Sequence, residues 1–273
     1  MTLRIGIAGI RGRMGREIAA LAVTDQRVTL IGGLSRRART AETEPDGVRL
    51  FADVAALLPQ IDVLIDFSAP VATVEHATAC ASAGVSMVCG TTGLDAAQMG
   101  VLRVAAARVA IFHAANMSPG VNAALAVLPA LVRALQGYDV EIVEAHHRHK
   151  VDAPSGTALA LARAVADASG GDLEGRLRHG REGARRRDPD EIGIHAIRSG
   201  GNPGEHEVIL AGEGEELRLT HRAFSRASYA EGALRAARLI VGQPPGWYDP
   251  MTRPGFLSSI PDPSQPDASG SPA

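Results

Sequence analysis

The sequence predicts an α/β fold: a parallel sheet covered by helices on both faces, followed by a second α+β unit with an open mixed sheet. Three observations predict it. Short apolar runs alternate with helical patterns over the first 117 residues. Such continuous runs mark strands buried on both faces. Aromatic residues are only 3% of the 273, so the core must be built from small aliphatic side chains. From 192 to 222 three strand-like segments follow one another without a helix between them.

Residues 4–8 (RIGIA) read as the first buried strand, with a Gly-rich turn and a helix from Met14 to Ala22 after it. Val28–Leu34 is a second strand and Asp53–Leu58 a short helix. Asp62–Asp66 is a third strand, and Pro70 opens a helix to Ala83, proline being pre-organised for a first turn. Val85–Cys89 is a strand, Asp95–Ala107 a helix and Val109–Phe112 a strand. Beyond Asn116 come a helix at 122–135, a strand at 138–145 and a helix within 152–168. Residues 171–190 read as loop, with a basic patch at Arg185–Arg187. Strands at 192–198, 205–211 and 215–222 follow, the last two joined by a Gly212–Gly214 hairpin. Ser228–Val241 returns to helix, and the Pro/Ser-rich end looks disordered or peripheral. The expected division is therefore 1–117 with 227–250, then 118–226, then a tail at 251–273.

Bulk properties exclude several classes. Charged residues are 21% and the formal charge is −2, so no nucleic-acid partner is expected. Two cysteines, Cys80 and Cys89, suit a reducing cytoplasm rather than a disulfide framework. Met1–Arg4 runs straight into a strand without a secretory pattern. No apolar run reaches the roughly 20 residues that span a bilayer, so no membrane partner is expected.

The first strand–helix junction reads Gly9-Ile10-Arg11-Gly12-Arg13-Met14-Gly15. Helix-start N–H groups hold a pyrophosphate, and glycines let it approach. The spacing is GxxGxxG rather than GxGxxG, and an ordinary tight turn is its plain alternative. An NAD site places an acid at the end of the second strand, on the ribose 2′-hydroxyl. Here stand Ser35, Arg36 and Arg37, with Arg39 behind them. Guanidiniums pair with a 2′-phosphate, so NADPH is expected over NADH, with a solvated charged loop as the alternative. Gly90-Thr91-Thr92-Gly93 and Ala114-Ala115-Asn116-Met117 follow the fourth and fifth strands, at the edge where open α/β sheets bind ligands.

Glu144–Thr157, EAHHRHKVDAPSGT, is the densest stretch: His146, His147, Arg148, His149 and Lys150 fall within five positions. A core cannot hold so many cations without partners. A solvated basic loop, a zinc site using His146 and His149, and an anion site with a general acid all fit. Adjacent Arg148 and Lys150 would repel a metal, and no metal is expected. Asp152-Ala-Pro-Ser155-Gly156-Thr157 reads as a helix start whose Gly156 and Thr157 N–H groups would meet a carboxylate. Cations and helix start together suit a small dianion.

This segment resembles the signature of dihydrodipicolinate reductases. The resemblance extends to the turn at 9–15, GTTG at 90–93, AANMSPGVN at 114–122, GEH at 204–206 and SRASYAEGA at 225–233. It covers most of residues 3 to about 250. It implies a Rossmann-type nucleotide-binding domain and reduction of 4-hydroxy-tetrahydrodipicolinate to tetrahydrodipicolinate, on the diaminopimelate route to lysine. NADH or NADPH would be the cofactor, and a homotetramer built through the second domains is expected. Residue by residue, it implies His146 as the acid–base residue and Lys150 as a proton donor that also contacts substrate. His147, Gly156 and Thr157 would bind substrate. Gly9 to Met14, Gly90 to Thr92 and Ala114 to Met117 would bind cofactor. Many members carry Glu or Asp where Ser35 stands, which favours NADPH. Tyr229 and Met117 stand where Phe is common, the second trimming an aromatic wall near the nicotinamide. Clustered cations would leave His146 neutral until the dianion binds. Another imine reductase and a non-catalytic NADPH sensor are the rival readings; the second predicts loss of His146 and Lys150.

Overall fold

A computed structural model describes residues 2–35, 42–43, 47–252 and 254–257. Within them the chain first runs β1 (Leu3–Ala8), α1 (Arg13–Thr24), β2 (Val28–Leu34), β3 (Glu42–Thr43), β4 (Arg49–Phe51) and α2 (Val54–Leu57). A 3₁₀ turn (Leu58–Gln60), β5 (Val63–Asp66), α3 (Pro70–Ala83), β6 (Ser86–Cys89), α4 (Ala96–Ala106) and β7 (Ala110–His113) follow. The second half is α5 (Pro119–Ala134), β8 (Asp139–His146), α6 (Gly156–Ala168), α7 (Leu173–Arg176) and β9 (Leu177–His179). Then come β10 (Ile192–Arg198), β11 (Glu205–Ala211), β12 (Glu216–Arg222), α8 (Ala227–Ile240), β13 (Gly246–Tyr248) and α9 (Pro254–Leu257).

The first sheet has the order β13-β7-β6-β5-β1-β2-β4-β3, parallel except for the β3–β4 pair. Its side chains alternate between two cores, as a pleat requires. Ile5, Ile7, Val63 and Ile65 pack on one face with Ile18 of α1 and Ala233 and Ala237 of α8. Leu64, Met87 and Ile111 pack on the other with Leu57, Ala77, Cys80 and Leu102. Small residues let the helices approach closely, consistent with a core almost free of rings.

The second sheet has the order β12-β11-β8-β10-β9. β8, β10 and β9 are parallel, whereas β11 and β12 run antiparallel. Val140, Ile142, Ile194, Val208 and Leu210 face α5 and α6 and form the third core with Leu128, Ala158, Leu161, Ala162 and Val165. Burying a side chain such as Leu161 contributes about 1.5–3 kcal/mol. The opposite face carries Glu141, Val143, Ala145, Ile197 and Ile209, and no element covers it among the described residues.

Several expectations shift. α5 starts at Pro119, capped by Ser118, rather than at Asn122, and tolerates Pro129 inside it. α6 starts at Gly156, because Ser155 rather than Asp152 supplies the cap, accepting from Ala158 N. The loop read at 171–190 contains α7 and β9. Its basic patch is ion-paired rather than simply solvated: Arg187 bonds Glu141 and Asp139, and Arg185 bonds Asp188. Glu191 is buried beneath them. The packed chain reaches Leu257 instead of stopping at 250. Phe256 is fully buried against Phe112, ring centroids 5.1 Å apart. Arg36, Arg37, Arg39 and the chain beyond Leu257 lie outside the described residues.

Candidate active site

Both ligand-facing regions sit at carboxyl ends of strands. After β1 the chain turns at Gly9, whose φ of +78° favours glycine. A Cβ there would lie 2.5 Å from the Phe67 carbonyl oxygen. Gly12 N donates to Gly9 O at 2.8 Å and closes the turn. Gly12 then caps α1 with no side chain, leaving the first-turn N–H groups to a ligand or solvent. A Cβ on Gly15 would meet Gly9 O at 2.3 Å, so helix and turn are pressed together. These features fit a pyrophosphate. Arg11 and Arg13 are exposed, and Met14 is half-buried. Ile10 is buried, its side chain filling the space that Gly33 leaves, so only its backbone faces the cleft. Arg11 Nη1 lies 3.4 Å from Ser35 Oγ, which joins the turn to the end of β2.

The next two loops behave differently from one another. Gly90 leaves room for the Phe67 ring: a Cβ would lie 2.2 Å from its Cζ and 2.3 Å from its Cε1. Thr91 is buried with its hydroxyl turned inward, while Thr92 is exposed. Ala115 is exposed and Ala114 buried. Met117 is 1% exposed and packs in the first core, so its side chain does not line the cleft, contrary to the expectation of a trimmed wall. Asn116 instead spans the cleft. Its Nδ2 donates to Thr157 Oγ1 at 2.9 Å, while its Oδ1 accepts from Ser118 N at 2.8 Å. The loop after β7 is thereby tied to the first turn of α6.

His146 ends β8 and is 8% exposed. Its Nδ1–H donates to Glu144 at 2.6 Å, which leaves Nε2 as the nitrogen open to reaction. Nε2 points to the position beside Gly204, where Tyr229 Oη also approaches. Glu144 is fully buried and accepts three further bonds: from Ser155 N at 3.0 Å and from Arg198 at 2.7 and 2.8 Å. Arg198 stands opposite His146 in the parallel β8–β10 pair, which aims its guanidinium back at Glu144. Burial pushes the Glu144 carboxyl up, but Arg198, His146 and the Ser155 N–H outweigh it and hold it below the ordinary range. Burial likewise pushes His146 down, helped by Lys150 and Arg198 and opposed by Glu144, so the ring is mainly neutral near pH 7. His147 is depressed by desolvation and then by Arg226 and Arg13. Lys150 Nζ donates to both carboxylate oxygens of Asp152 at 2.8 Å. Gly156 is exposed and Thr157 half-buried, so the first turn of α6 is open to an anion.

His206, from GEH, lies edge-on to His146 with centroids 5.1 Å apart. Its Nε2 pairs with Ser155 Oγ at 2.9 Å. Burial pushes its pKa down to about 3, so it is neutral at working pH. Sequence reasoning gave no role to Glu144, Arg198 or His206. An acid two residues before a strand-end histidine, on the same face, was the available signal for Glu144. Arg198 carries no such signal. Among the described residues no cluster of three or more potential ligands could hold a metal ion, and no helix is long and apolar enough to cross a membrane.

A parallel sheet with an open glycine turn, joined across a cleft to a histidine–carboxylate pair and an anion-ready helix start, defines a dinucleotide-binding oxidoreductase. Family models for the N-terminus and C-terminus of dihydrodipicolinate reductase match residues 3–117 and 120–252. The chain belongs to that family. It is 46% identical over 259 residues to the 4-hydroxy-tetrahydrodipicolinate reductase of Thiobacillus denitrificans, covering 91% of this chain and 97% of the relative. Identity to the same-named protein of Burkholderia ambifaria is 45% over 257 residues, covering 90% and 97%. A dipicolinate-bound dihydrodipicolinate reductase from Paenisporosarcina sp. TG-14 shares the structure with a TM-score of 0.75 at 26% identity, over 91% of this chain and 98% of that one.

Proposed function

We propose that this chain reduces 4-hydroxy-tetrahydrodipicolinate to tetrahydrodipicolinate with a nicotinamide dinucleotide, NADPH in preference to NADH. The observation that carries the reading is the His146–Glu144–Arg198 assembly beside the open first turn of α6. One carboxylate of the substrate meets the Gly156 and Thr157 N–H groups; Lys150 and His147 serve the other end. When bound, the reduced nicotinamide supplies the hydride. The 4-hydroxyl of the substrate leaves as water to give the conjugated dihydro imine. Hydride addition to that imine puts negative charge on the ring, and a nearby cation stabilises it and delivers the proton that completes tetrahydrodipicolinate. Lys150, freed from Asp152 by the competing substrate carboxylate, is the group with a proton to give. His146 is mainly neutral and gains a proton as the dianion raises its affinity for one. Glu144 fixes the ring's tautomer.

The turn Gly9, Ile10, Arg11, Gly12, Arg13 and Met14 holds the pyrophosphate through its backbone. Ser35, Arg11 and Arg36 receive the 2′-phosphate, a reading supported by the Arg11–Ser35 contact. Gly90, Thr91, Thr92, Ala114, Ala115 and Asn116 frame the nicotinamide half, with Met117 contributing backbone only because its side chain is buried in the first core. We assign 1–117 with 227–250 to cofactor binding, supported by the packing of α8 on the first sheet. Residues 118–226 serve substrate binding and assembly. A homotetramer through the uncovered face of the second sheet would bury Val143, Ile197 and Ile209. The two reduced, buried cysteines suit the cytoplasm.

A coupled assay with the condensing synthase, pyruvate and aspartate semialdehyde tests the reaction with each cofactor. NADPH oxidation that requires both precursors and is inhibited by pyridine-2,6-dicarboxylate supports the reading; cofactor binding without turnover defeats it. A clear kcat/KM advantage for NADH would remove the cofactor preference, and light scattering in solution reads the assembly.

A further inference from the structure

The carboxyl end of β5 carries a buried acid that none of the roles above uses. Asp66 is fully buried. Its Oδ1 accepts from Ser68 N at 2.8 Å, Ser68 Oγ at 2.6 Å and Thr91 Oγ1 at 3.3 Å. Its Oδ2 lies 2.7 Å from His76 Nδ1, on α3. Its backbone oxygen accepts from Gly90 N at 2.9 Å. Thr73, also fully buried on α3, donates to Thr91 Oγ1 at 2.9 Å, leaving the Thr91 proton to point at the carboxylate.

The location gives this cluster its meaning. The Phe67–Ser68 turn sits between the two glycine loops at the ligand edge. On one side the Phe67 carbonyl oxygen occupies the space beside Gly9; on the other the Phe67 ring covers Gly90. Moving the turn by a few tenths of an ångström would push one loop or the other. A buried carboxylate is costly unless donors surround it, and here its donors come from exactly the segments that must be aligned: the turn, the Thr91 loop and α3.

We propose that Asp66 is a positioning residue for the dinucleotide, with His76 and Thr73 as its anchors: one carboxylate locks the Phe67–Ser68 turn and the Thr91 loop together as a single cofactor-binding edge. Asp66 touches neither substrate nor reacting atoms. Its removal therefore weakens cofactor binding and leaves the chemical step of the loaded enzyme nearly intact. The inference rests on the nicotinamide reading.

The test uses the full-length protein and direct binding. NADPH is titrated by its own fluorescence in the absence of substrate, for wild type, Asp66→Asn and Thr73→Val, with circular dichroism and thermal melts to establish folding. An amide keeps the shape of Asp66 but turns a donor toward one of its donors. Loss of a charge-assisted buried bond corresponds to about ten- to a hundredfold in Kd. The expected result is an Asp66→Asn Kd for NADPH raised about tenfold or more, with kcat at saturating NADPH and the KM for the imine within threefold. Thr73→Val, which cannot donate to Thr91, should raise Kd about threefold, and it decides the matter if Asp66→Asn fails to fold. A folded Asp66→Asn with Kd within twofold of wild type overturns the proposal, as does a loss confined to kcat. For Thr73→Val an unchanged Kd does so. Failure of wild type to bind either dinucleotide would instead defeat the nicotinamide reading, and the first titration shows which has failed.

Discussion

Replacing Glu144 with Gln keeps the shape of the side chain and removes its charge. The carboxylate accepts four bonds, from His146, Ser155 N and both Arg198 terminal nitrogens. An amide offers one oxygen and one NH₂, so whichever way it turns the NH₂ faces an Arg198 nitrogen, together with either His146 or Ser155 N. Breaking one partner of a buried ion pair costs about 3–5 kcal/mol. The Arg198 side chain retains 19% exposure, which places the cost toward the lower end, near 3 kcal/mol. For a chain of this size about 2–4 °C per kcal/mol gives a Tm drop of roughly 6–12 °C. Catalysis should suffer more than stability suggests, because the His146 tautomer loses its reference; a fall in kcat on the order of 10²–10³ is expected, below the ~10⁴ known for a misoriented catalytic imidazole. Burial, Lys150 and Arg198 all push the His146 pKa down, and Glu144 is what opposes them. Its loss must therefore move the His146 ionisation to still lower pH. Steady-state kinetics from pH 5 to 9 on folded protein checks each step. A variant with kcat within threefold of wild type and an unmoved acidic limb would refute the argument that Glu144 orients His146.

Lys150→Ala should lower kcat by a factor on the order of 10²–10⁴, the range for a lost general acid; near-normal kcat at saturating substrate would exclude Lys150 as proton donor. His206 has a folded pKa of about 3 against an unfolded value of 6.5, so the unfolded chain binds the extra proton. Its contribution is complete above pH 6.5 and is lost as pH falls toward 3, about 2 kcal/mol of it by pH 5. His206→Phe keeps the edge contact with His146, and urea unfolding at pH 7.5 and 5 should show a correspondingly shallower loss; equal slopes would count against a buried neutral ring. Gly15→Ala sets a methyl 2.3 Å from the Gly9 carbonyl oxygen and 2.5 Å from Ile10 Cα, both backbone. It should cost about 1–3 kcal/mol and raise the KM for NADPH more than that for the imine, and unchanged cofactor KM would show that the turn is not part of the nucleotide site.

The parallel strands were readable because burial on both faces turns each into a short apolar run between helices. Edge strands of two or three residues, β3, β9 and β13, carry too little pattern to be read. At α6 the sequence offers two caps, Asp152 and Ser155, and only the packing of Ser155 N and Oγ onto Glu144 and His206 selects the second. His146 and Lys150 stood out because cations were crowded along one segment. Arg198 and Asp66 did not, since Arg198 acts on Glu144, 54 residues away, and Asp66 joins His76 and Thr91, 10 and 25 residues away, beyond its local bonds to Ser68. The basic patch at Arg185–Arg187 was legible, but its acids were only partly so: Asp188 is close in sequence, whereas β8 brings Asp139 and Glu141 to Arg187 and Glu191 stands just before β10.

A Cβ at Gly232 would lie 1.7 Å from the Met117 carbonyl oxygen. The chain thus leaves the first sheet at Met117 and rejoins it at α8 through segments in direct contact. Everything between them is a closed loop whose two ends meet, and α5 packs on α8 and α9 beside that meeting point. The Asn116–Thr157 bond lies beside that meeting point and ties the same two parts together. Closure entropy changes slowly with loop length, so residues added at the β11–β12 turn leave the core undisturbed. One methyl at Gly232 would push apart the two ends of that loop and the core they share.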